Sequence, residues 1–406
     1  NHQDLNPSLR CPTEEILMLD RIVSIDPECG PWRLGEVVAQ KDLAPDHWYF
    51  PCHFKDDNVL AGTLVTEGCV QLLGFYMLYL GLQIKTSDAR FQPIKHRPYA
   101  IRARGQITPI DTRYSCKMEL IEIGLEPHPY ARANFYIIKD GKIVVDFRDL
   151  GVELLEKSPD DPAYRGFATK PRSLSVEPAF GPEAIEEFAT GSLARVFGPA
   201  FEIYENRRGP RTPNGDLKLI SRIMQIQGQP GDFSKPSQLT AEYDVPANAW
   251  FFEQNAFPIT PYSVIMEIAL QPCAFLSVYM GTTLSYPDAE MCFRNLSATA
   301  ELAETPDLRG KTVVNHIEMT SVSKAAETVV MNFTFRLICE GRIFYEGTTQ
   351  FGYFTPHALE MQKGLDRGEK TLPWYRSRQI EESLGESIDL RSSQVQKRYY
   401  QGTAER

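Results

Sequence analysis

Two stretches of the chain are apolar for the length of a long helix, and each carries a single charge. One spans residues 63–80 with Glu67 inside it; the other spans residues 263–280 with Glu267 inside it. Neither has the charged stripe of a surface helix, so each is expected to be a central helix, apolar on every side. After the first come segments rich in β-branched and aromatic residues, at 101–107, 112–123, 131–138 and 142–155, separated by turn signals such as Lys139-Asp-Gly. After the second come 296–301, 313–322, 328–339 and 342–354. These patterns predict strands. An extended approach precedes Trp48 and Trp250. The expectation is an α+β protein in which one long helix lies against an antiparallel sheet, twice.

The two halves also match residue by residue. Trp48-Tyr-Phe-Pro-Cys-His-Phe stands against Trp250-Phe-Phe-Glu-Gln-Asn-Ala. Glu67-Gly-Cys-Val-Gln71 stands against Glu267-Ile-Ala-Leu-Gln271, Tyr79-Leu-Gly against Tyr279-Met-Gly, and Gly141-Lys-Ile-Val-Val-Asp against Gly341-Arg-Ile-Phe-Tyr-Glu. Arg21-Ile22 matches Arg222-Ile223, and the offset is 200 to 202 residues throughout. Five matches in order at a near-constant offset indicate an internal duplication. The expected organisation is a first unit at 1–156, a connecting segment at 157–211, a second unit at 212–358, and a C-terminal extension or linker at 359–406. The middle of the connection, 182–196, suits a short helix, and the C-terminal extension is expected to be partly helical.

A length of 406 residues fits two or three domains. The formal net charge of −10, with no Lys/Arg-rich block, argues against nucleic acid as a partner. A basic stretch, Arg90, Lys95, Arg97, Arg102 and Arg104, is a candidate face for an acidic partner, and a solvated strand edge explains it equally well. The eight cysteines are scattered among apolar neighbours without metal-ligand spacing, and the first residues carry no signal-peptide core. Both point to a reduced, cytoplasmic protein. The absence of an initiator methionine suggests a piece of something longer. No apolar run reaches transmembrane length; the longest, around 70–82, is interrupted by Gln71, Gly74 and tyrosines.

Glu67 and Glu267 raise the chemical question. Leu64, Val70, Leu72 and Phe75 surround the first, Val264 and Leu270 the second, and Gln71 and Gln271 lie one turn on, on the same face. A buried carboxylate is costly unless paired, hydrogen-bonded or protonated, and the protonated form suits a general acid. A structural residue or cap is the plainer reading of either one. His53 precedes a helix-opening glycine, Gly62, by nine residues. It suits a base near neutral pH, and the glycine allows a carbonyl to approach the helix N-terminus closely. Cys69 sits mid-helix as a small core residue.

Residues Trp48 to Phe54, Val59-Leu-Ala-Gly62 and Glu67-x-x-x-Gln71 resemble the active-site segment of the bacterial 3-hydroxydecanoyl-carrier-protein dehydratase family, which has the hotdog fold. The tandem arrangement resembles more closely the dehydratase regions of polyunsaturated fatty acid synthases. The segments Phe188-Ala-Thr-Gly-Ser, Phe197-Gly-Pro-Ala-Phe-Glu-Ile-Tyr-Glu, Pro210-Arg-Thr-Pro-Asn-Gly-Asp-Leu and Pro261-Tyr-Ser-Val-Ile-Met-Glu-Ile-Ala-Leu-Gln-Pro-Cys carry that likeness over residues 1–358. The resemblance implies a double hotdog, with each central helix wrapped by an antiparallel sheet. It implies a composite site in which His53 and Gly62 of one unit meet Glu267 and Gln271 of the other, with Val59, Phe54 and Thr63 against the substrate. The carboxylates stand at the family's aspartate position, one methylene longer. The mirror site would join Asn255 and Tyr262 to Glu67 and Gln71. Asn255 cannot act as a base at neutral pH, Tyr262 replaces the glycine, and the loop is two residues shorter. That site is expected to be degenerate, with Glu67 structural.

The implied reaction is dehydration of a 3-hydroxyacyl thioester, held on the phosphopantetheine of an acyl carrier protein, to a 2-enoyl thioester. His53 would be the base and Glu267 the acid, with Gln271 orienting Glu267 or holding the departing water. The reverse arrangement, with an ionised Glu267 holding the hydroxyl while His53 shuttles the proton, stays open, as does double-bond isomerisation. No metal, flavin or nicotinamide is expected. Expected partners are an acyl carrier protein, neighbouring domains of a larger synthase and a second copy as a homodimer, with no membrane. Two rivals stand beside this reading: a thioester hydrolase on the same fold, and a non-catalytic acyl-binding scaffold.

Overall fold

The structure, a computed structural model, describes residues 6–13, 15–159, 176–367 and 388–395. The first half runs β1 (Arg21–Asp26), β2 (Glu36–Asp42), α1 (Tyr49–Cys52), α2 (Gly62–Tyr79), β3 (Ala89–Pro93), β4 (Tyr99–Ala103), β5 (Arg113–Gly124), β6 (Tyr130–Lys139) and β7 (Lys142–Glu156). The connection holds α3 (Pro182–Thr190) and α4 (Leu193–Phe197). The second half follows as β8 (Arg222–Gln227), β9 (Ser237–Asp244), α5 (Trp250–Gln254), α6 (Tyr262–Tyr279), β10 (Cys292–Leu302), β11 (Thr312–Ala325), β12 (Thr328–Cys339) and β13 (Arg342–Phe354). The short α7 (Pro356–Glu360), β14 (Ile388–Asp389) and a single helical turn, α8 (Ser393–Val395), come last among the described residues.

Each half is a hotdog: α2 or α6 lies in the concave face of an antiparallel sheet. The two sheets join edge to edge through β4 and β10, paired from Ser297↔Arg102 to Ala300↔Tyr99. The continuous order is β14-β1-β2-β5-β6-β7-β4-β10-β13-β12-β11-β9-β8, with β3 on β7. The duplication is visible in the register. Ile138↔Ile143 in one β-hairpin repeats as Ile338↔Ile343 in the other. Both hairpins turn through left-handed residues, Asp140 and Gly141 in one and Glu340 and Gly341 in the other, as tight hairpins require.

The central helices pack against each other at the junction. Both stop at a left-handed glycine, Gly81 and Gly281, with φ +80° and +72°, the conformation that ends many helices. Helix α6 contains Pro272 in its interior, where the missing N–H and the ring would normally kink or break a helix. Asn315 on β11 compensates: its Nδ2 donates to the carbonyls of Ile268 (2.9 Å) and Ala269 (3.0 Å), so the acceptor that proline abandons is satisfied from the sheet.

Several expectations need adjustment. The extended approach to each Trp is a two-stranded unit, β1–β2 and β8–β9; β8 forms one outer edge, and on the other side the short β14 pairs outside β1. The strand expected at 101–107 is β4 and ends at Ala103. The helix expected at 182–196 is two helices, because Gly191 ends α3 and the Ser192 hydroxyl caps α4 by accepting from the Arg195 N–H at 3.3 Å. No apolar run was expected to reach transmembrane length, yet among the described residues one helix, α6, is long and apolar enough to cross a membrane; 89% of its window is buried inside the fold. Of the C-terminal extension, α7, the residues to 367 and 388–395 are described; the rest lies outside the described residues.

Candidate active site

His53 caps the C-terminus of α1 and opens the loop that leads to α2. Its ring Nδ1 lies 3.0 Å from the Val59 carbonyl, and the Val59 N–H returns a bond to the His53 carbonyl at 2.7 Å. With Nδ1–H donated to that carbonyl, Nε2 is the basic nitrogen. Burial pushes the His53 pKa below its ordinary value, while the charge of Glu267 pulls partly back, so the neutral, proton-accepting form prevails at neutral pH. The Phe54 ring lies against the imidazole, with centroids 3.8 Å apart.

The loop is anchored from the second half. Asp57 accepts from both terminal nitrogens of Arg294 on β10, at 2.8 and 2.7 Å, and the Arg294 Nε reaches Gln106 at 2.9 Å. Asn214 holds the preceding turn: its N–H donates to the Cys52 carbonyl (2.9 Å) and its side chain to the Pro51 carbonyl (3.0 Å). A bidentate Arg–carboxylate pair fixes orientation as well as distance, so the base is placed relative to the opposite unit.

Glu267 is buried and accepts one hydrogen bond on each oxygen. The Thr63 hydroxyl of the first half donates to Oε1 at 2.6 Å, and the Gln271 amide donates to Oε2 at 2.8 Å. Gln271 is fully engaged: its Nε2 also donates to the Leu217 carbonyl (2.6 Å), and its Oε1 accepts the Leu219 N–H (2.9 Å). It holds Glu267 against the segment before β8. Thr63, expected against substrate, bridges the two units through Glu267 as well as lining the cavity.

His53, Phe54, Val59, Gly62, Thr63, Glu267 and Gln271 all line one cavity of about 130 Å³. Ile101, Ala103, Val145, Phe293, Leu296 and Phe351 supply much of its apolar wall. Gly62 is the first residue of α2, and a Cβ built on it meets nothing within 4 Å. Gly62 therefore leaves open space at the start of α2, where the first N–H groups have no acceptor within the helix. Among the described residues, no three His, Cys, Asp or Glu side chains form a metal-binding cluster.

The mirror position has the same scaffold, and the pocket beside Tyr262 and Tyr99 measures about 10 Å³. Glu67 accepts from the Ser263 hydroxyl at 2.9 Å, as Glu267 does from Thr63. Gln71 grips the Ile16 carbonyl and the Met18 N–H at 2.8 and 2.9 Å, as Gln271 grips Leu217 and Leu219. Asn255 Nδ2 donates to the Ile259 carbonyl at 3.2 Å, reproducing the His53–Val59 bond without a base. Tyr262 is buried and packs on Tyr99 and Tyr345, with ring centroids 5.3 and 6.2 Å away. The Tyr99 and Tyr345 hydroxyls are hydrogen-bonded to each other. By the hairpin register, Tyr345 stands where Val145 lines the open cavity. Two substitutions, glycine to tyrosine and valine to tyrosine, fill the space.

A FabA-like domain model matches residues 11–148 and, again, residues 212–348. The chain belongs to the FabA-like family. A polyunsaturated fatty acid synthase polypeptide of Thraustochytrium sp. is 30% identical over an alignment covering 93% of this chain and 33% of that protein. The chain thus spans about a third of the length of that relative. Solved structures of similar outline include the dehydratase domain from the CurJ module of the curacin polyketide synthase, 12% identical with a TM-score of 0.40, covering 85% of this chain and 100% of that one. Another is an acyl-CoA thioesterase II, TesB2, from Mycobacterium marinum, 10% identical with a TM-score of 0.41, covering 84% and 98%.

Within this FabA-like chain, Arg294, Asp57, Asn214 and the cavity wall from β4 and β10 were not recognised as site residues from sequence. Asn214 lies in the Pro210–Leu217 signature segment, whose Pro and Gly content was the available signal. The Arg294–Asp57 pair spans 237 positions and leaves no local trace. The basic stretch 90–104 does not form one face. Arg90 is buried, Arg102 pairs with Asp146, and Arg104 donates to the carbonyls of Ala103 and Leu296.

Proposed function

We propose that this chain dehydrates 3-hydroxyacyl thioesters, carried on an acyl carrier protein, to 2-enoyl thioesters during polyunsaturated fatty acid synthesis. The observation that carries the reading is the single apolar cavity shared by His53 of one unit and Glu267 of the other. The relative's name supplies the pathway.

In this mechanism the substrate thioester lies in the cavity with its carbonyl towards the first turn of α2. His53 Nε2 takes the C2 proton. The helix N-terminus at Gly62 stabilises the negative charge that develops on the carbonyl oxygen. The carboxyl of Glu267 gives a proton to the 3-hydroxyl, which leaves as water, and the C2–C3 double bond forms. One proton is taken and one given, so His53 and Glu267 exchange roles over the turnover and are reset before the next. Gln271 orients Glu267; with its amide bonded on both sides, it has no donor to spare for the departing water. No metal, flavin or nicotinamide enters the scheme. The carrier protein and the neighbouring domains of a larger synthase are the proposed partners.

The test is a mass-resolved assay on a 3-hydroxyacyl-carrier thioester. Loss of water with the thioester intact supports dehydration; release of a free acid points to hydrolysis; unaltered bound thioester points to a scaffold.

A further inference from the structure

The seam between the two halves is paired over only part of its length. β4 and β10 are bonded from Ser297↔Arg102 to Ala300↔Tyr99 and then separate. On its other side β4 leaves β7 after Ala103↔Val145. Gly105 and Gln106 from one side of the separation, and Asn295 and Leu296 from the other, all line the apolar cavity. Side chains span it: Arg104 Nη1 donates to the Leu296 carbonyl at 2.7 Å, and Arg294 Nε to Gln106 at 2.9 Å.

A segment outside the family domain crosses this place. The second family match ends at residue 348. After β13, the Thr355 hydroxyl caps α7 by accepting from the Ala358 N–H at 3.1 Å. Leu359 of α7 joins Cys292, Leu296 and Phe354 in a small core apart from the main one. Further on, the Leu365 N–H donates to the Ile143 carbonyl at 2.8 Å, and the Asp366 carboxylate accepts the Ile143 N–H at 3.2 Å. The segment is thus pinned to β10 of the second half at one end and to β7 of the first half at the other. In the sheet order only β4 lies between those two strands.

Gln362 stands between the two pins. It is half-buried and lines the apolar cavity, and its N–H donates to the Leu359 carbonyl at 3.2 Å. Ala103, Val145, Leu296 and Phe351 belong to the same wall. An alkyl chain that grows until it meets this side chain must strip water from a primary amide and offers it no hydrogen bond in return, which is costly. The segment cannot move aside without breaking its bonds to Ile143.

We propose that Gln362 is a specificity-determining residue: it ends the cavity at the seam and sets the longest acyl chain that the site accepts. The proposal rests on the thioester-dehydratase reading above and adds the feature by which substrates are graded. Chains that stop short of Gln362 gain from each added methylene, and chains that reach it do not.

The experiment measures kcat/KM for 3-hydroxyacyl pantetheine thioesters of increasing saturated chain length, with a thermal melt as the control for folding. Burying one methylene corresponds to about fourfold, so wild type should gain about that much per methylene up to a cut-off and then fall. The quantity read is the ratio of kcat/KM for the first rejected chain to that for the last accepted one. Gln362→Ala should raise this ratio by about fourfold or more and move the cut-off to longer chains. Gln362→Phe should move it to shorter ones. A cut-off that neither variant shifts overturns the proposal. So does an effect equal at every chain length, which would mean that Gln362 meets the thioester arm or only supports the fold. Alkyl thioethers of pantetheine, which cannot lose water, read the same length profile by calorimetry. A binding cut-off that moves in Gln362→Ala, with no loss of water from any 3-hydroxyacyl thioester, would remove the dehydratase reading and leave the role of Gln362 standing.

Discussion

The two halves build the same carboxylate scaffold, and only one of them builds a site around it. On both sides a glutamate of one central helix accepts from a hydroxyl at the start of the other, Thr63 to Glu267 and Ser263 to Glu67. On both sides a glutamine one turn later holds the segment before the first strand. These bonds tie each helix to the other and to its own sheet, so they serve the fold whether or not chemistry follows. What distinguishes the open side is a base in place of Asn255, a glycine in place of Tyr262 and a valine in place of Tyr345. The Glu-x-x-x-Gln pair is therefore a marker of the architecture. The histidine and the open helix mouth mark the chemistry.

That comparison can be broken most sharply at the base. His53→Asn installs the residue of the mirror site and keeps a donor for the Val59 carbonyl, so the fold should survive. Turnover should fall by about 10²–10⁴-fold, the usual worth of a general base, as read by steady-state kinetics with a thermal melt as control. Gly62→Tyr imposes the other half of the mirror site; it should fill the space beside α2 and abolish productive binding, as read by the loss of saturable kinetics. The reverse change, Tyr262→Gly, should cost about 3–5 kcal/mol of stability, as a large aromatic deletion in a core does, and should create no second activity because Asn255 remains.

Smaller effects sharpen the same contrast. Thr63→Val and Ser263→Ala each remove the hydroxyl from a buried carboxylate and should each cost about 1–3 kcal/mol in denaturant titration; only Thr63→Val should also lower kcat. The pH profile of kcat/KM should lose activity on the acid side below the ordinary histidine value of about 6.5, because burial lowers the His53 pKa and only neutral His53 accepts a proton. Glu67 gives the smallest effect. Burial raises its pKa above the ordinary carboxylate value, with the Ser263 bonds opposing. The folded state then holds its proton more tightly than the unfolded chain. The stability from this group is full below the unfolded pKa and is lost as pH rises through the folded one. Glu67→Gln should flatten that pH dependence, as measured by melts across the mildly acid range.

The duplication and the central helices were legible because they rest on local pattern: apolar runs of helical length, hairpin turns with Asp-Gly or Glu-Gly, and a fixed spacing between Glu and Gln. The two-stranded edges β1–β2 and β8–β9 were read only as extended chain, since their burial comes from pairing with β5 and β11 rather than from a strict alternation. Pro272 would have argued for a break in α6; the compensating Asn315 lies 43 positions on, and nothing local links the two. His53, Gly62 and the mirror-site losses at Asn255 and Tyr262 were legible by aligning the chain with itself. Tyr345 was present in the aligned hairpin, but its consequence depends on which strand face meets the cavity. Arg294 and Asp57 act through a contact between distant segments, which spacing does not reveal.

The central claim is that a single composite site uses the carboxylate of the second half. Glu267→Gln and Glu67→Gln are nearly isosteric and differ only in which half loses its acid. Mass-resolved turnover of a 3-hydroxyacyl-carrier thioester by the two variants tests the claim most directly. The account predicts that Glu67→Gln releases water at close to the wild-type rate while Glu267→Gln does not. Loss of activity in Glu67→Gln with Glu267→Gln still active would place the chemistry on the sealed side and contradict it.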